Sequence, residues 1–390
     1  MPSETNSVPP PDPGDVRLLV VDDSPMVLKF AARVLRELDH PVQTAENGRL
    51  ALETLGRQPP DVLITDLMMP EMDGFELIER VRSDVRFQGI HIIVMTALDQ
   101  VADKVRALEL GANDYTVKPL DANEFRARVQ AGVREIKLKK QLTAALASLD
   151  QELKMVANLQ RRLLPKTLPT DERFQAAVWY RPCSRAGGDY YDLFTDAAGR
   201  TFLAVGDVSG HGASASVLMA MLRALLKLFA PEGRSAGEVI DRLNQVLLDN
   251  IGDDPDFISV FLGLLEPHRP RLNYCPAGHG DMIVLGPEPG QTRRLEALGT
   301  VLGVLPGTWT DAWLDVLPGQ SLILYTDGLV EAVDRGGEEF GRNRLERLLA
   351  DLDPALPPDE LIDRIVSEVE SFTCQTDFAD DVTLFVIRFV

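Results

Sequence analysis

The sequence predicts two globular domains joined by a long helix: a doubly wound α/β domain with a five-stranded parallel sheet, then an α+β sandwich. Three observations lead there. Strand-like and helix-like runs alternate from Val16 to Gln130. Apolar residues then recur at alternating spacings of four and three as far as Leu163, and from Thr170 onward the apolar runs become shorter and mostly strand-like. A chain of 390 residues is also long for one hydrophobic core. The expected boundaries are a disordered tail over 1–15, the α/β domain over 16–132, a coiled-coil linker helix over 133–165 and the sandwich over 166–390.

The tail, MPSETNSVPPPDPGD, is rich in proline and lacks both a basic start and an apolar stretch, so it reads as disordered and not as a secretory signal. RLLVV (17–21) is a buried-strand run followed by Asp22 and Asp23. A helix over MVLKFAARVLREL, a strand over PVQTA and a helix over GRLALETLG lead to DVLITD, a third strand ending on Asp66. FELIERVR is helical, HIIVMTA a strand, VADKVRALELG a helix, DYTVK a short strand and ANEFRARVQAGV the closing helix. Alternation at this spacing implies a parallel sheet covered on both faces.

The connector carries Leu142, Leu146, Leu149, Leu153, Val156, Gln160 and Leu163 on one stripe, the pattern of a coiled-coil seam and hence of a homodimer. Gln160 reads as the polar core position that fixes register. Pro165 and Pro169 end the helix. Beyond them FQAAVWY, TFLAVGDV, ISVFLGLLE, RLNYCPAG, MIVLG, SLILYTDG and VTLFVIRF read as strands, and SASVLMAMLRALLKLFA, AGEVIDRLNQVLLDNI and PDELIDRIVSEVESF as helices.

Composition narrows the function. A net charge of −20 repels nucleic-acid phosphates, and the basic clusters (Lys137, Lys139, Lys140; Arg161, Arg162, Lys166) are confined to the connector, so no nucleic-acid partner is expected. No apolar stretch reaches the ~20 residues of a membrane span. The three cysteines, Cys183, Cys275 and Cys374, lack CxxC spacing, which suits a reducing cytoplasm and excludes a disulfide framework.

The chemistry lies in the aspartates. Ligands of open α/β sheets bind at the carboxyl ends of the strands. Asp22, Asp23, Asp66, Thr96 and Lys118 all follow or end strands and should meet at one edge. Three carboxylates in a small pocket call for a divalent cation, and Mg²⁺ suits oxygen ligands. Lys118 and Thr96 would face the oxygens of a phosphoryl group near Asp66. As VVDDS, ITDLMMPEMDG, VMTA and VKPL, these residues resemble the receiver domain of bacterial response regulators. The resemblance implies Asp66 as phosphoacceptor, Mg²⁺ held with Asp22 or Asp23 and the Met68 carbonyl, Tyr115 as the aromatic switch, and a histidine kinase or phosphorelay protein as donor.

The second half holds no evident nucleophile. GDVSGHG (206–212) is neither GxSxG nor a phosphate loop, and Ser209 and His211, two apart on a glycine loop, seldom form a dyad. No C-x5-R loop follows Cys183 or Cys275. What remains is acid: Asp189 in AGGDYYD, Asp207 in GDVSGHG, Asp327 in YTDGLVE, and Asp380 and Asp381 in FADDVTLFV. Carboxylates gathered from distant loops imply cations, and two bridged divalent ions activate water for hydrolysis without a protein nucleophile.

In this order these motifs, with NLQRRLLP at the entrance, resemble the metal-dependent PP2C-type serine/threonine phosphatases, most closely the SpoIIE/RsbU branch that acts on anti-anti-sigma factor phosphoserines. The resemblance implies a PP2C-like sandwich with two Mn²⁺ or Mg²⁺ ions. Asp189, Asp207 and the Val208 carbonyl would hold the first, with Asp207 bridging, and Asp327 and Asp380 the second. Asp381 is the alternative at the last position, and Asp192 and Glu331 are weaker neighbours. GGDYYD is also similar to the GGDEF signature of diguanylate cyclases, but that reading leaves TDG and DDVT unexplained. The expected function is a response regulator whose Asp66 controls a phosphatase acting on a phosphorylated anti-anti-sigma (STAS) factor. The alternative is an adaptor of the RssB kind, binding the stationary-phase sigma factor for proteolysis.

Overall fold

The computed structural model describes residues 16–97, 101–169, 171–183, 186–210, 212–251, 256–296, 299–374 and 378–390; the proline-rich tail lies outside them. The chain forms two compact units, Met1–Ser148 and Leu149–Val390. The division falls inside a helix.

The first unit runs β1 (Leu18–Val21), α1 (Pro25–Leu35), β2 (Val42–Ala45), α2 (Gly48–Arg57), β3 (Val62–Asp66), α3 (Gly74–Ser83), β4 (His91–Ala97), α4 (Val101–Glu109), β5 (Asp114–Lys118) and α5 (Ala122–Leu163). The strands are parallel in the order β2-β1-β3-β4-β5. Alternate strand residues serve opposite cores. Leu19, Leu63 and Ile92 pack with Leu55 of α2 and Leu77 of α3, whereas Val20, Ile64 and Ile93 pack with Ala31 of α1 and Phe125 of α5. Burial on both faces explains why these strands read as unbroken Val, Ile and Leu.

The final helix of this unit and the connector are one helix. Phe125, Val129 and Val133 hold the start of α5 on the sheet at a spacing of four. Leu142, Leu146 and Leu149 on the expected seam are more than half exposed in the single chain, at 62%, 58% and 53%. The reading of Gln160 as a coiled-coil core residue needs correction: it is 4% exposed, buried within the second unit of its own chain. A four-and-three repeat marks one face of a helix, whatever covers that face.

The second unit runs β6 (Phe174–Arg181), β7 (Tyr190–Thr195), β8 (Thr201–Val208), α6 (Ala213–Phe229), α7 (Ala236–Ile251), β9 (Ile258–Leu265), β10 (Arg271–Ala277), β11 (Met282–Leu285), β12 (Thr292–Arg294), β13 (Ala312–Asp315), β14 (Ser321–Tyr325), α8 (Arg342–Asp351), α9 (Pro358–Thr373) and β15 (Val382–Phe389). Two antiparallel five-stranded sheets form, ordered β13-β10-β9-β8-β7 and β12-β11-β14-β15-β6. The second sheet shows the strand period of two directly. Met282, Val284, Leu322 and Leu324 join the core shared with the first sheet, α6 and α7, while Ile283, Leu285, Ile323 and Tyr325 pack under α8 and α9.

The sequence reading missed four elements. β7 (YYDLFT) carries a buried Asp192 in mid-strand, held by Lys227 Nζ at 2.8 Å and Tyr190 Oη at 3.0 Å. β12 and β13 are short edge strands with little apolar signal, and α8 buries only Leu345 and Leu349.

Candidate functional site

In the first unit, β1, β3 and β5 deliver their acids and base to one end of the sheet. Asp22 is fully buried just after β1, and Lys118 Nζ lies 2.7 Å from Asp22 Oδ2 and 2.9 Å from Asp66 Oδ2. Asp23 is exposed, yet carboxylate oxygens of Asp22, Asp23 and Asp66 lie within 4.8 Å of one another. Burial pushes the Asp66 carboxyl upward against the pull of Lys118, while the carboxylates outweigh burial and raise Lys118. Asp66 Oδ1 accepts from the Leu67 amide at 3.0 Å. The turn after it requires glycine at Gly74, because a Cβ there would collide with the Asp66 carbonyl oxygen. Thr96, 2% exposed, has a buried Oγ1 without a hydrogen-bond partner. Tyr115 is half-buried, with the Arg128 guanidinium 5.2 Å from its ring centre. Met68 is 62% exposed on the loop beyond β3.

The second unit gathers a different acid set. Asp189 precedes β7, Asp207 lies at the end of β8, Asp327 opens a 3-10 turn after β14, and Asp380 and Asp381 precede β15. Asp189 is 1% exposed; its Oδ2 accepts from the Thr383 and Thr326 hydroxyls at 2.6 and 2.8 Å, and its Oδ1 is buried without a hydrogen-bond partner. Burial, then the Asp207 charge, pushes Asp189 well up. Asp207 is pushed up to about 7 by burial, then by Asp327 and Asp380. Asp327 rises through burial and the charge of Asp380. Asp207 thus feels acids from each of the other loops.

Adjacent Asp380 and Asp381 do different things. Asp380 is exposed, whereas Asp381 is 2% exposed and occupied by main chain, accepting from Cys183 N at 2.8 Å and Gly188 N at 2.5 Å. Oxygens of Asp380 and Asp381 also lie within 4.8 Å of Cys183 Sγ, a thiol pushed up to about 12 by burial. Of the weaker neighbours, Asp192 is committed to Lys227 and Tyr190, and exposed Glu331 lines a cavity of about 280 Å³ with Asp207 and Asp327.

The glycine loop folds around Asp207. Ser209 exchanges two hydrogen bonds with Phe257, giving N–H to the carbonyl at 2.9 Å and accepting the amide on Oγ at 2.8 Å, so its role is to fasten the loop. Gly210 and Gly212 have φ of 82° and 86°, which favours glycine. His211 lies outside the described residues. Sequence reasoning also passed over His279, Asp281 and Arg342 on the cavity wall. Arg342 grips Asp281 at 2.6 and 3.1 Å, and burial pushes the His279 imidazole down to about 4, so it is neutral near pH 7. Thr326 and Thr383, inside the TDG and DDVT motifs, were legible as neighbours but not as partners of Asp189.

Comparison with known proteins follows the same division. A family described as "Response regulator receiver domain" matches residues 18–130, and one described as "Stage II sporulation protein E (SpoIIE)" matches residues 197–390. The chain joins a receiver domain to a SpoIIE-type PP2C phosphatase domain. Protein IcfG of Synechocystis sp. is 28% identical over 335 residues, 76% of this chain and 52% of IcfG. The chain spans about half the length of the curated relatives it matches. The SiaA-PP2C domain of Pseudomonas aeruginosa shares the phosphatase fold, with a TM-score of 0.56 at 22% identity over 63% of this chain and 99% of that one. The RsbU and RsbW domains of Rv1364c from Mycobacterium tuberculosis match with a TM-score of 0.50 at 26% identity, over 58% of this chain and 63% of theirs. Among the described residues, no helix is long and apolar enough to cross a membrane.

Proposed function

We propose that phosphorylation of Asp66 controls a metal-dependent serine/threonine phosphatase in the same chain, acting on a phosphorylated anti-anti-sigma factor of the STAS class. The observation that carries the catalytic half is the set Asp189, Asp207 and Asp327, raised by burial and by neighbouring carboxylates with Asp380 among them, and a buried, unpartnered oxygen on Asp189. A donor set of this kind fits divalent cations, which remove the repulsion. Asp189, Asp207 and the Val208 carbonyl would hold one Mn²⁺ or Mg²⁺; Asp207, Asp327 and Asp380 would hold a second. Bound ions there supply an acidified water and positive charge for the phosphoryl oxygens. The Thr326 and Thr383 hydroxyls keep Asp189 oriented, and Asp381, spent on backbone amides, holds the loop around it.

For the receiver, Asp22, Asp23, Asp66 and the Met68 carbonyl would hold Mg²⁺; three carboxylates against one Lys118 fit a divalent cation. A phosphoryl oxygen on Asp66 would give the Thr96 hydroxyl its missing partner, and Tyr115 would follow Thr96 inward. The donor is a histidine kinase or a phosphorelay protein, the location is cytoplasmic, and the exposed leucines of α5 pair two copies.

Turnover of a phosphorylated STAS protein with Mn²⁺, with and without beryllofluoride on Asp66, tests both halves. A rate change on beryllofluoride binding is expected. Equal rates with Asp66 occupied would remove the control, and no hydrolysis of any STAS phosphoprotein would remove the substrate. Capture of a sigma factor in place of hydrolysis would establish the adaptor reading instead.

A further inference from the structure

We infer that Gln160, on the last turn of α5, is a positioning residue for the phosphatase metal centre, clamping the loop that carries Asp189. The inference rests on the proposed role of Asp189 as a ligand. The Gln160 carboxamide engages both polar groups of one residue: Nε2 donates to the Gly187 carbonyl at 2.6 Å, and Oε1 accepts from the Gly187 amide at 3.0 Å. Ser216 of α6 borders the cluster: its Oγ donates to the Gly212 carbonyl at 2.8 Å and lies 3.2 Å from the Gly187 carbonyl oxygen and 3.3 Å from Gln160 Oε1. All three residues are buried.

The clamp sits between the two ligand loops. Next along the chain, Gly188 gives its amide to Asp381, and a Cβ on Gly188 would come within 2.5 Å of the Val208 carbonyl oxygen. The far end of the GDVSGHG loop joins the same segment, Gly212 N donating to the Ala186 carbonyl at 3.1 Å. The stretch before Asp189 therefore has Gln160 on one side and Asp381 on the other. Gln160 supplies here the hydrogen bonds that a neighbouring strand supplies inside a sheet. A glutamine suits the position because its carboxamide carries an N–H donor and a C=O acceptor side by side, matching the Gly187 carbonyl and amide together. An apolar side chain of equal volume would fill the space, leave the Gly187 N–H buried without a partner, and leave its C=O only the longer contact from Ser216. Since α5 is one helix from Ala122 to Leu163, rotation about its axis would draw Gln160 off Gly187 and change metal affinity without altering a ligand.

The test is Mn²⁺ titration calorimetry on the full chain, with the phosphatase site defined as the binding lost in D207N. It is paired with the Mn²⁺ dependence of p-nitrophenyl phosphate hydrolysis. Q160M, which keeps volume and loses both bonds, should weaken Mn²⁺ at that site by ~10–100-fold, the usual effect of removing a residue that orients a ligand. Its kcat at saturating Mn²⁺ should stay within about threefold of wild type, because no reacting group is touched. S216A should weaken Mn²⁺ in the same direction but less. Wild-type affinity in folded Q160M overturns the inference; if circular dichroism shows Q160M unfolded, wild-type affinity in S216A overturns it instead. Absence of any D207N-sensitive Mn²⁺ binding in the wild-type chain overturns the ligand reading as well.

Discussion

The receiver and the phosphatase domain each bury aspartates, and they balance that charge differently. In the receiver the fold brings its own cation: Lys118 lies within 3 Å of both Asp22 and Asp66. In the phosphatase domain Asp207 meets burial first and then the charges of Asp327 and Asp380, and its carboxyl is pushed up to about 7. A pocket with a resident lysine has part of its acid charge balanced by the fold itself. In the second pocket Arg342 is spent on Asp281 and the acids outnumber it, so under the proposed function metal affinity is the natural quantity for a regulator to change.

The sharpest way to break this contrast is to remove the central acid on each side. D66N should abolish labelling by a small phosphodonor such as acetyl phosphate. D207N should lower Mn²⁺-dependent hydrolysis by ~10³-fold while the far-ultraviolet spectrum stays native. Survival of either activity in pure protein would void the corresponding assignment. Next in size is Lys118→Ala, which leaves Asp22 buried without its cation. Unfolding by urea should show a loss of about 3 kcal/mol, the cost of breaking a buried ion pair from one side.

Stability against pH tests the acid set of the second unit directly. The folded Asp207 carboxyl titrates near 7 against an ordinary 3.8, so between those values the folded state holds a proton that the unfolded chain has released. Its contribution therefore turns less favourable as pH rises from about 4 to 7 and is level above that. In EDTA, the Tm difference between D207N and wild type should widen in favour of D207N from pH 5 to pH 8, and saturating Mn²⁺ should reverse the order. A pH-independent difference would contradict the electrostatic account. The smallest expected change is in the connector. L146E places a charge on the exposed stripe and should shift sedimentation from dimer toward monomer with little change in Tm; a wild-type monomer would remove the seam.

Legibility followed the range of the signal. The receiver could be read almost whole because its central strands β1, β3 and β4 have both faces buried and its acids and Lys118 sit at or just beyond strand ends, where local pattern places them. In the sandwich, strands with a strong apolar period were read, but β7 was hidden by Asp192 and α8 by having two buried leucines in ten residues. The acids themselves stood out beside their glycines. Their partners did not: Thr383 and Thr326 reach Asp189 across 194 and 137 residues of chain.

The sequence by itself determined which aspartates end which strands, where glycine must permit close approach, and that an apolar stripe runs along the connector from Leu142 to Leu163. Only the tertiary structure decided what each buried polar group meets. It separated Asp381, held by two main-chain amides, from exposed Asp380 beside it, and it took Gln160 from an expected helix seam to the backbone of Gly187. The physical reason is that periodicity reports which face of an element is covered, while a buried hydrogen bond is satisfied by whichever group the fold brings within reach.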